Sequence, residues 1–597
     1  MNDAPVWLAA LAAFPVVVIG ASVLRVDVER LRRAAVAAAL AMVVTALVIA
    51  VSPGLRDFSI RTSALTWRPG GEAIVRVDTL SDALLPLAAG LWLLTVAVTP
   101  RASLDRGGLR RTALATLITV SSFLTESAIV LLLLSTASVW TFLSALADPA
   151  HAYQRRLVAR YLGLSTLLFA IGVALLVSPG VQHTWLETAA MWLIAVAALL
   201  RKGIVPFHAW LPEVFDRGRL GPVILFNAPQ VGAYMTVVLI VPRASPELLR
   251  IIAVLALMTA VYGSALALVQ ASARRACGYL FMSQSALVMA GLDCTSAGAL
   301  AGGLVVWLSA GLAFAGLARC VLVLEARRGR LDLRTYHGGY ERMPLLAISF
   351  LLMGLACTGF PGTLGFVGQE LLVDGAVEAF PVMGFAVVVA SALTGLAVLR
   401  MYFSLFCGRA EAQAHPSLRL GLKTREAWTF VALAIALVVF GVAPRALVDS
   451  RFAASDDILR QRQEARPIAF SRPLVDYTIN LAAVQLARYD PAAAETLARE
   501  GLRIRALAPG LVPSRRRTFI EDDWSVGGTK SLLGAALAAR GRFAEAESVL
   551  LDALRDLKAM PSPPRRDITD TAVRVIQLYE AWGLPERAAA YRASLRG

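Results

Sequence analysis

The chain has 597 residues, 57% of them hydrophobic and 17% charged, with a mean hydropathy of +0.65. A soluble globular protein carries roughly 25% charged residues, so a purely soluble enzyme is excluded and a polytopic membrane protein is the expected class. The net charge is +16, but the basic residues sit between apolar runs, which marks them as topology signals and leaves nucleic acid out as a partner. Only four of the 58 basic residues are lysine (Lys202, Lys423, Lys530, Lys558), a bias attributable to a GC-rich genome.

A helix needs about 20 apolar residues to cross a bilayer. About fourteen such runs follow in order: 6–24, 33–52, 80–99, 110–125, 127–147, 158–177, 188–208, 222–242, 249–271, 279–293, 299–325, 344–369, 378–402 and 425–447. No basic residues precede the first run, so no cleavable signal is expected. Loops after runs 1, 3, 5, 9, 11 and 13 are rich in arginine, among them Arg30, Arg32, Arg33, Arg106, Arg110, Arg111, Arg274, Arg275, Arg327 and Arg328. The positive-inside bias makes those loops cytoplasmic. The second loop, with Arg56, Arg61, Arg68 and Arg76, breaks the trend and is expected to form a small external hairpin. With fourteen crossings of a bacterial inner membrane, both termini lie outside the cytoplasm.

The composition turns polar near residue 448. The expected organisation is 1–75 for two helices and an external loop, 76–447 for a transmembrane core, and 448–597 for a soluble helical domain. In that tail, Gly534-Ala-Ala-Leu-Ala-Ala-Arg-Gly541-Arg542-Phe543 reads as helix, glycine turn, helix, and Tyr579 to Ala588 repeats the pattern around Gly583. Leu481 to Leu502, broken at Asp490-Pro491, is an expected earlier copy. The pattern resembles tetratricopeptide repeats. It serves either as a docking surface for a protein partner or as a helical cap on the membrane part.

Two apolar runs are interrupted alike. The seventh holds Arg201-Lys202-Gly203-Ile-Val-Pro206-Phe207-His208-Ala-Trp210-Leu-Pro212, and the twelfth holds Gly359-Phe360-Pro361-Gly362-Thr-Leu-Gly365-Phe366-Val-Gly368-Gln369-Glu370. Proline removes a backbone donor and clashes with the preceding turn. The freed carbonyls must find polar partners inside the bilayer. One such span in each half points to an inverted-repeat transporter with a site near mid-membrane. The cysteines (Cys277, Cys294, Cys320, Cys357, Cys407) show no metal-ligand spacing and the five histidines are scattered, so no cofactor, metal or iron–sulfur site is expected. No phosphate loop, dinucleotide fingerprint or catalytic triad is present, which leaves no independent active site.

Val205-Pro206-Phe207-His208-Ala209-Trp210-Leu211-Pro212 resembles the broken seventh helix of the antiporter-like subunits of respiratory complex I, Mrp-type cation/proton antiporters and membrane-bound hydrogenases. Gln270 to Gln284, Gly359 to Gly368, and Leu399 to Gly408 resemble three further ordered motifs of that family. The resemblance covers roughly residues 75–445 and does not include the tail. It implies an all-α membrane protein of about 14 spans, with inverted repeats and broken helices 7 and 12. It also implies a role in proton or cation/proton translocation inside a larger complex, with other membrane subunits as partners, the lipid bilayer around it and no redox centre of its own. A dehydrogenase or oxidoreductase label would describe that complex.

The family relay runs on Lys, His and Glu, and this sequence departs from it. Arg201 stands in the lysine slot, with Lys202 beside it. The fifth-helix Trp-Glu pair falls on neutral Thr136-Ala137-Ser138, and Glu126 is the nearest acid. The eighth helix has no His or Lys near Asn227. The eleventh-helix slots fall on Trp307, Gly311 and Ala315, with Arg319 next on that stripe. Gln369 takes the twelfth-helix slot, followed by Glu370. The ion-translocation candidates are therefore Arg201, Lys202, His208, Glu370, Arg319 and Glu126, around the helix breaks at Pro206, Pro212, Gly359, Pro361 and Gly362. Arg319 is also a candidate to pair with Glu325. Two other readings stay open: a non-conducting scaffold paralogue that recruits partners through its tail, and the membrane partner of an inorganic-carbon uptake system.

Overall fold

The computed structural model describes all residues except 1–3, 53–54, 56–57, 63–71, 101–104, 179–184, 295, 380, 409–421, 466–481, 484, 487–489, 508–525, 560–564 and 595–597. Arg56, Arg68, Leu481 and the Pro-rich 560–564 lie outside the described residues. The chain forms two compact units, Met1–Ala465 and Arg466–Gly597.

The first unit is helical apart from one hairpin. It runs α1 (Ala4–Val23), α2 (Val28–Val51), β1 (Ser59–Thr62), β2 (Glu72–Arg76), α3 (Ser81–Val98), α4 (Arg106–Phe123), α5 (Ala128–Ala145), α6 (Ala152–Val177), α7 (Trp185–Lys202), α8 (Trp210–Arg217), α9 (Leu220–Asn227) and α10 (Val231–Met235). A π-helical turn, Thr236–Ile240, follows. Then come α11 (Pro246–Val269), α12 (Ala273–Asp293), α13 (Ala297–Arg328), α14 (Pro344–Thr358), α15 (Leu364–Ala379), α16 (Pro381–Phe406), α17 (Thr424–Val442) and α18 (Arg445–Ala465). Among the described residues, ten helical segments are long and apolar enough to cross a membrane. Each of the fourteen apolar runs overlaps helix, and runs 7, 8, 12 and 14 extend across a break. The protein is an all-α, multi-pass membrane protein. Apolar side chains such as Leu133, Trp140, Phe385 and Trp428 remain exposed on the flanks, as expected where lipid is the solvent.

Two polar ends organise this unit. At one end, Arg32 donates to the Ala97 and Thr99 carbonyls (both 3.0 Å), Arg274 pairs with Glu325 (2.5 Å), and Arg327 pairs with Glu426 (2.6 Å). At the other lie the β1–β2 hairpin, the α4–α5 turn and the start of α3. Strands β1 and β2 pair antiparallel, with a register shift between Ile60 and Arg61. The hairpin is tied down by Glu126, whose backbone N–H donates to Ala73 (3.0 Å) and whose carboxylate pairs with Arg76. Arg76 also lies 3.6 Å from Asp78. Its charge is thus met locally.

Helix α13 runs through the centre, and 32 residues at 1.5 Å each give about 48 Å. It packs on α15 through small residues. A Cβ on Gly375 would fall 2.0 Å from the Ala299 nitrogen, and one on Gly302 would fall 2.4 Å from the Leu372 nitrogen. Apolar helices in lipid associate through such close backbone approach.

Helix α18 corrects the domain boundary read at residue 448, since the first unit continues to Ala465. Buried Arg451 pairs with Asp82 (2.5 Å) and donates to the Thr79 carbonyl (2.7 Å), and Ser455 donates to Ala297 (3.0 Å). Its polar composition suggested tail; its ion pair holds it to the ends of α3 and α13.

The second unit holds α19 (Pro491–Leu507), α20 (Val526–Ala539), α21 (Phe543–Lys558), α22 (Arg565–Ala581) and α23 (Pro585–Ser594). Gly541 (φ +75) and Gly583 (φ +76) make the turns after α20 and α22, in the left-handed region that suits glycine. Its own core includes Leu532, Leu537, Leu550, Val575 and Tyr579.

Candidate functional site

Three interruptions shape the interior of the first unit. Helix α7 ends where Gly203 adopts φ +66 and Pro206 follows. The loosened carbonyls are taken up locally: Ile204 N–H donates to Leu199 (3.1 Å), and the Trp210 indole donates to Leu200 (3.0 Å). The Val205 N–H donates to the Thr259 hydroxyl of α11 (3.0 Å). The second interruption lies between α14 and α15, with Gly359 at φ +75 and Gly362 at φ +85. Here Gln369 donates to the Cys357 carbonyl (3.2 Å) and accepts from Ser391 (2.8 Å). So Gln369 closes the break with an amide that needs both donor and acceptor.

The third interruption separates α9 from α10. Gln230 sits at φ +58 just after Pro229. The Trp307 indole of α13 donates to the Pro229 carbonyl (3.0 Å). The side-chain oxygen of Gln230 accepts from the Lys202 ammonium and from Ser285 of α12 (3.4 Å). Gly232 packs on the lysine stem, where an added Cβ would lie 2.9 Å from Lys202 Cγ.

Arg201 and Lys202 are both buried, each 5% exposed. Arg201 points to α5, where it donates to Ser135 Oγ and Ser138 Oγ (3.0 Å each), and its guanidinium lies 4.8 Å from the Phe226 ring centre. Neither cation has a carboxylate partner among the described residues. The two neighbouring cations therefore diverge, Arg201 toward α5 and Lys202 toward α10 and α12. A row of polar groups runs Ser138, Ser135, Arg201, Lys202, Gln230, Ser285.

The other candidates lie elsewhere. His208 stacks edge-on to Tyr262 at 5.2 Å, and its buried Nδ1 has no hydrogen-bond partner among the described residues. Pro206 is exposed, while Pro212 is buried in α8. Arg319 is fully buried and donates to Thr95 (2.9 Å), with Nε and one terminal nitrogen unpartnered. The expected Arg319–Glu325 pair is replaced by Arg274–Glu325 (2.5 Å). Glu126 belongs to the hairpin contact with Arg76, away from Arg201. Glu370 is exposed on α15, as are Pro361 and Gly362 at the break before it.

The sequence reading missed Gln230, Ser285 and Asp293. Pro229 was the signal for the first, since proline inside an apolar run marks a freed carbonyl. Asp293 ends α12 with both carboxylate oxygens buried and without a hydrogen-bond partner among the described residues. An acid inside an apolar run is itself a functional signal.

The first unit is thus a multi-pass helical membrane unit with paired broken helices and buried cations beside one of them. Residues 104–394 match the family described as the transmembrane part of the NADH:quinone oxidoreductase/Mrp antiporters. The chain is 30% identical over 296 residues to NADH-quinone oxidoreductase subunit M of Pseudomonas aeruginosa, covering 48% of this chain and 56% of that protein. It is also 30% identical over 266 residues to subunit N from Halorhodospira halophila, covering 42% and 54%. The chain thus spans about half the length of the curated relatives it matches. Among solved structures, a chain of the Mrp complex from Dietzia sp. DQ12-45-1b aligns with TM-score 0.66 at 19% identity, over 76% of this chain and 98% of that one. A chain of respiratory complex I from Thermus thermophilus with bound NADH aligns with TM-score 0.67 at 20% identity, over 76% and 99%. At that identity the likeness is one of fold.

Proposed function

We propose that this chain is a proton-translocating, antiporter-like subunit of a multi-subunit complex in a bacterial inner membrane, crossing it fourteen times. One observation carries the reading. Lys202 lies buried at a helix break and is held by a neutral amide rather than a carboxylate. A desolvated ammonium with an uncharged partner is placed to gain and lose a proton, whereas Arg201 stays charged and acts by electrostatics. Glu370, exposed on the second broken helix, is the group a neighbouring subunit would meet. The relatives are named as subunits of NADH-quinone oxidoreductase, and the similar folds come from membrane complexes, which supports the same assembly here.

The positive-inside bias makes the arginine-rich end cytoplasmic and starts the tail outside. In this reading the tail is tetratricopeptide-like and docks a protein partner.

The test is proton flux in proteoliposomes that hold the whole complex, comparing wild type with Lys202→Ala and Glu370→Ala. Loss of flux in Lys202→Ala supports the site. Unchanged flux in both variants overturns the assignment, and no flux in any form favours the scaffold reading, which the missing carboxylates motivate.

A further inference from the structure

Among the cations buried in the unit, Arg201, Lys202 and Arg319 have no carboxylate within ion-pair distance among the described residues. Arginine stays protonated in proteins. A charge held away from water needs a counter-charge or a large compensating interaction. Arg201 has two serine hydroxyls, the Ser135 carbonyl (3.5 Å) and the face of one ring instead.

Those hydroxyls have a further property. Ser135 and Ser138 each accept from Arg201, and neither hydroxyl donates to a partner among the described residues. Thr112, Thr119 and Thr141 nearby do the opposite, each closing on a carbonyl of its own helix at 2.8 Å. So Arg201 polarises two O–H groups whose protons are uncommitted.

A narrow crevice between α4, α5 and α9 reaches this point. Its lining includes Arg111, Thr112, Thr119, Thr141, Ser138 and Phe226. The last two are the groups that touch Arg201. Arg111 lies toward the arginine-rich end of α4; a terminal nitrogen is 3.4 Å from the Asp105 carboxylate, and its buried Nε has no hydrogen-bond partner among the described residues. The free space is about 20 Å³. One water-sized particle needs roughly 10–15 Å³ on this measure, so the crevice admits single small species. Arg201 behind the floor has no carboxylate partner among the described residues and favours anions over cations there, while Asp105 offsets the charge of Arg111 at the mouth.

We propose that Ser138, polarised by Arg201, forms the floor of a binding site for a small monovalent inorganic anion that enters past Arg111. The bound anion supplies the counter-charge that the side chains around Arg201 lack. The site shares Arg201 with the polar row that includes Lys202, but chloride binding and proton flux are read separately, so either reading can fail alone.

The probe is chloride, compared with gluconate at equal ionic strength, on the purified full-length protein in lipid nanodiscs. Two readouts are used: thermal unfolding, and the linewidth of the chloride-35 NMR signal. In wild type, chloride raises the unfolding temperature saturably and broadens the signal. Ser138→Val removes the hydroxyl and fills its place, and it raises the half-saturating concentration about tenfold or more. Arg201→Gln abolishes the effect, and Arg111→Gln weakens it. Should Arg201→Gln fail to fold, the Ser138→Val arm decides alone. The proposal is overturned if wild type shows no chloride-specific shift, or if Ser138→Val responds as wild type does. Proton flux in the whole complex is a separate measurement and leaves this result untouched.

Discussion

The ammonium of Lys202 and the side-chain oxygen of Gln230 are hydrogen-bonded across the interior, joining the broken end of α7 to the break between α9 and α10. The residues are 28 apart in sequence. Each sits where the helix has stopped, so each break positions the other's partner.

Removing the acceptor alone is expected to be costly. Gln230→Leu leaves a buried ammonium without that acceptor, and a stranded buried donor costs roughly 1–3 kcal/mol, more when charged. Lys202→Met combined with Gln230→Leu removes both polar groups and is expected to recover much of the loss. Thermal unfolding in detergent measures all three proteins. If the double variant is as unstable as Gln230→Leu, the glutamine acts through its left-handed backbone and not through the lysine.

The helix breaks are closed by side chains of unequal duty. Trp210→Phe gives up one hydrogen bond to Leu200, worth about 0.5–1.5 kcal/mol. Gln369→Leu strands both the Cys357 carbonyl and the Ser391 hydroxyl, and it is expected to cost more, about 1–3 kcal/mol for each stranded group. Equal unfolding temperatures for the two variants would contradict this ranking.

The apolar runs and the two paired breaks were legible in the sequence, because run length and Pro or Gly act locally. What the interior does with its charges was not. Arg319 looked ready for Glu325 six residues on, yet Arg274 from α12 takes that carboxylate. Glu126 looked like the nearest acid to the missing fifth-helix Trp-Glu pair, yet Arg76, 50 residues earlier, claims it. Helix α18 looked like tail because it is polar, yet contacts distant in sequence, above all the Arg451–Asp82 pair 369 residues apart, attach it to the membrane unit. Such pairings depend on which helix ends meet, and a single sequence carries no record of that.

The Arg76–Glu126 pair predicts a structural role for both residues. Glu126→Gln and Arg76→Gln are each expected to destabilise the protein, and the double variant to cost less than their sum, by about 0.5–3 kcal/mol of coupling. Proton flux by the assembled complex should be unchanged in Glu126→Gln. A flux defect there without a stability defect would return Glu126 to the list of relay candidates.

Glu370 gives the reverse pattern. It is exposed on α15, so Glu370→Gln should leave the unfolding temperature of the isolated chain unchanged, within the roughly ±0.5 kcal/mol usual for surface changes. Its effect should appear only in the assembled complex, as lost flux or weakened association. A destabilised isolated chain would mean that Glu370 serves the fold of α15 itself.

The tail carries the clearest pH dependence. Glu495 is 6% exposed and accepts from Arg499 (2.9 Å), Arg540 (2.5 Å) and Arg542 (2.8 Å). Burial pushes its carboxyl up, but the hydrogen bonds from Arg540 and Arg499 and the charge of Arg542 outweigh burial and hold it below the usual carboxylate range. A group with a lowered folded pKa stabilises fully above its unfolded value, near 4.3, and that stability is lost as pH falls through the folded value. Residues 466–597 form a compact unit with their own core, so they can be expressed alone and melted by circular dichroism. At pH 7, Glu495→Gln should melt well below wild type, because three arginines lose their shared charge. As the pH drops from about 5 to 3, wild type should lose stability faster, and the gap between the two should narrow. A gap that stays constant across that range would show that the contact works through neutral hydrogen bonds and not through the ionised carboxylate.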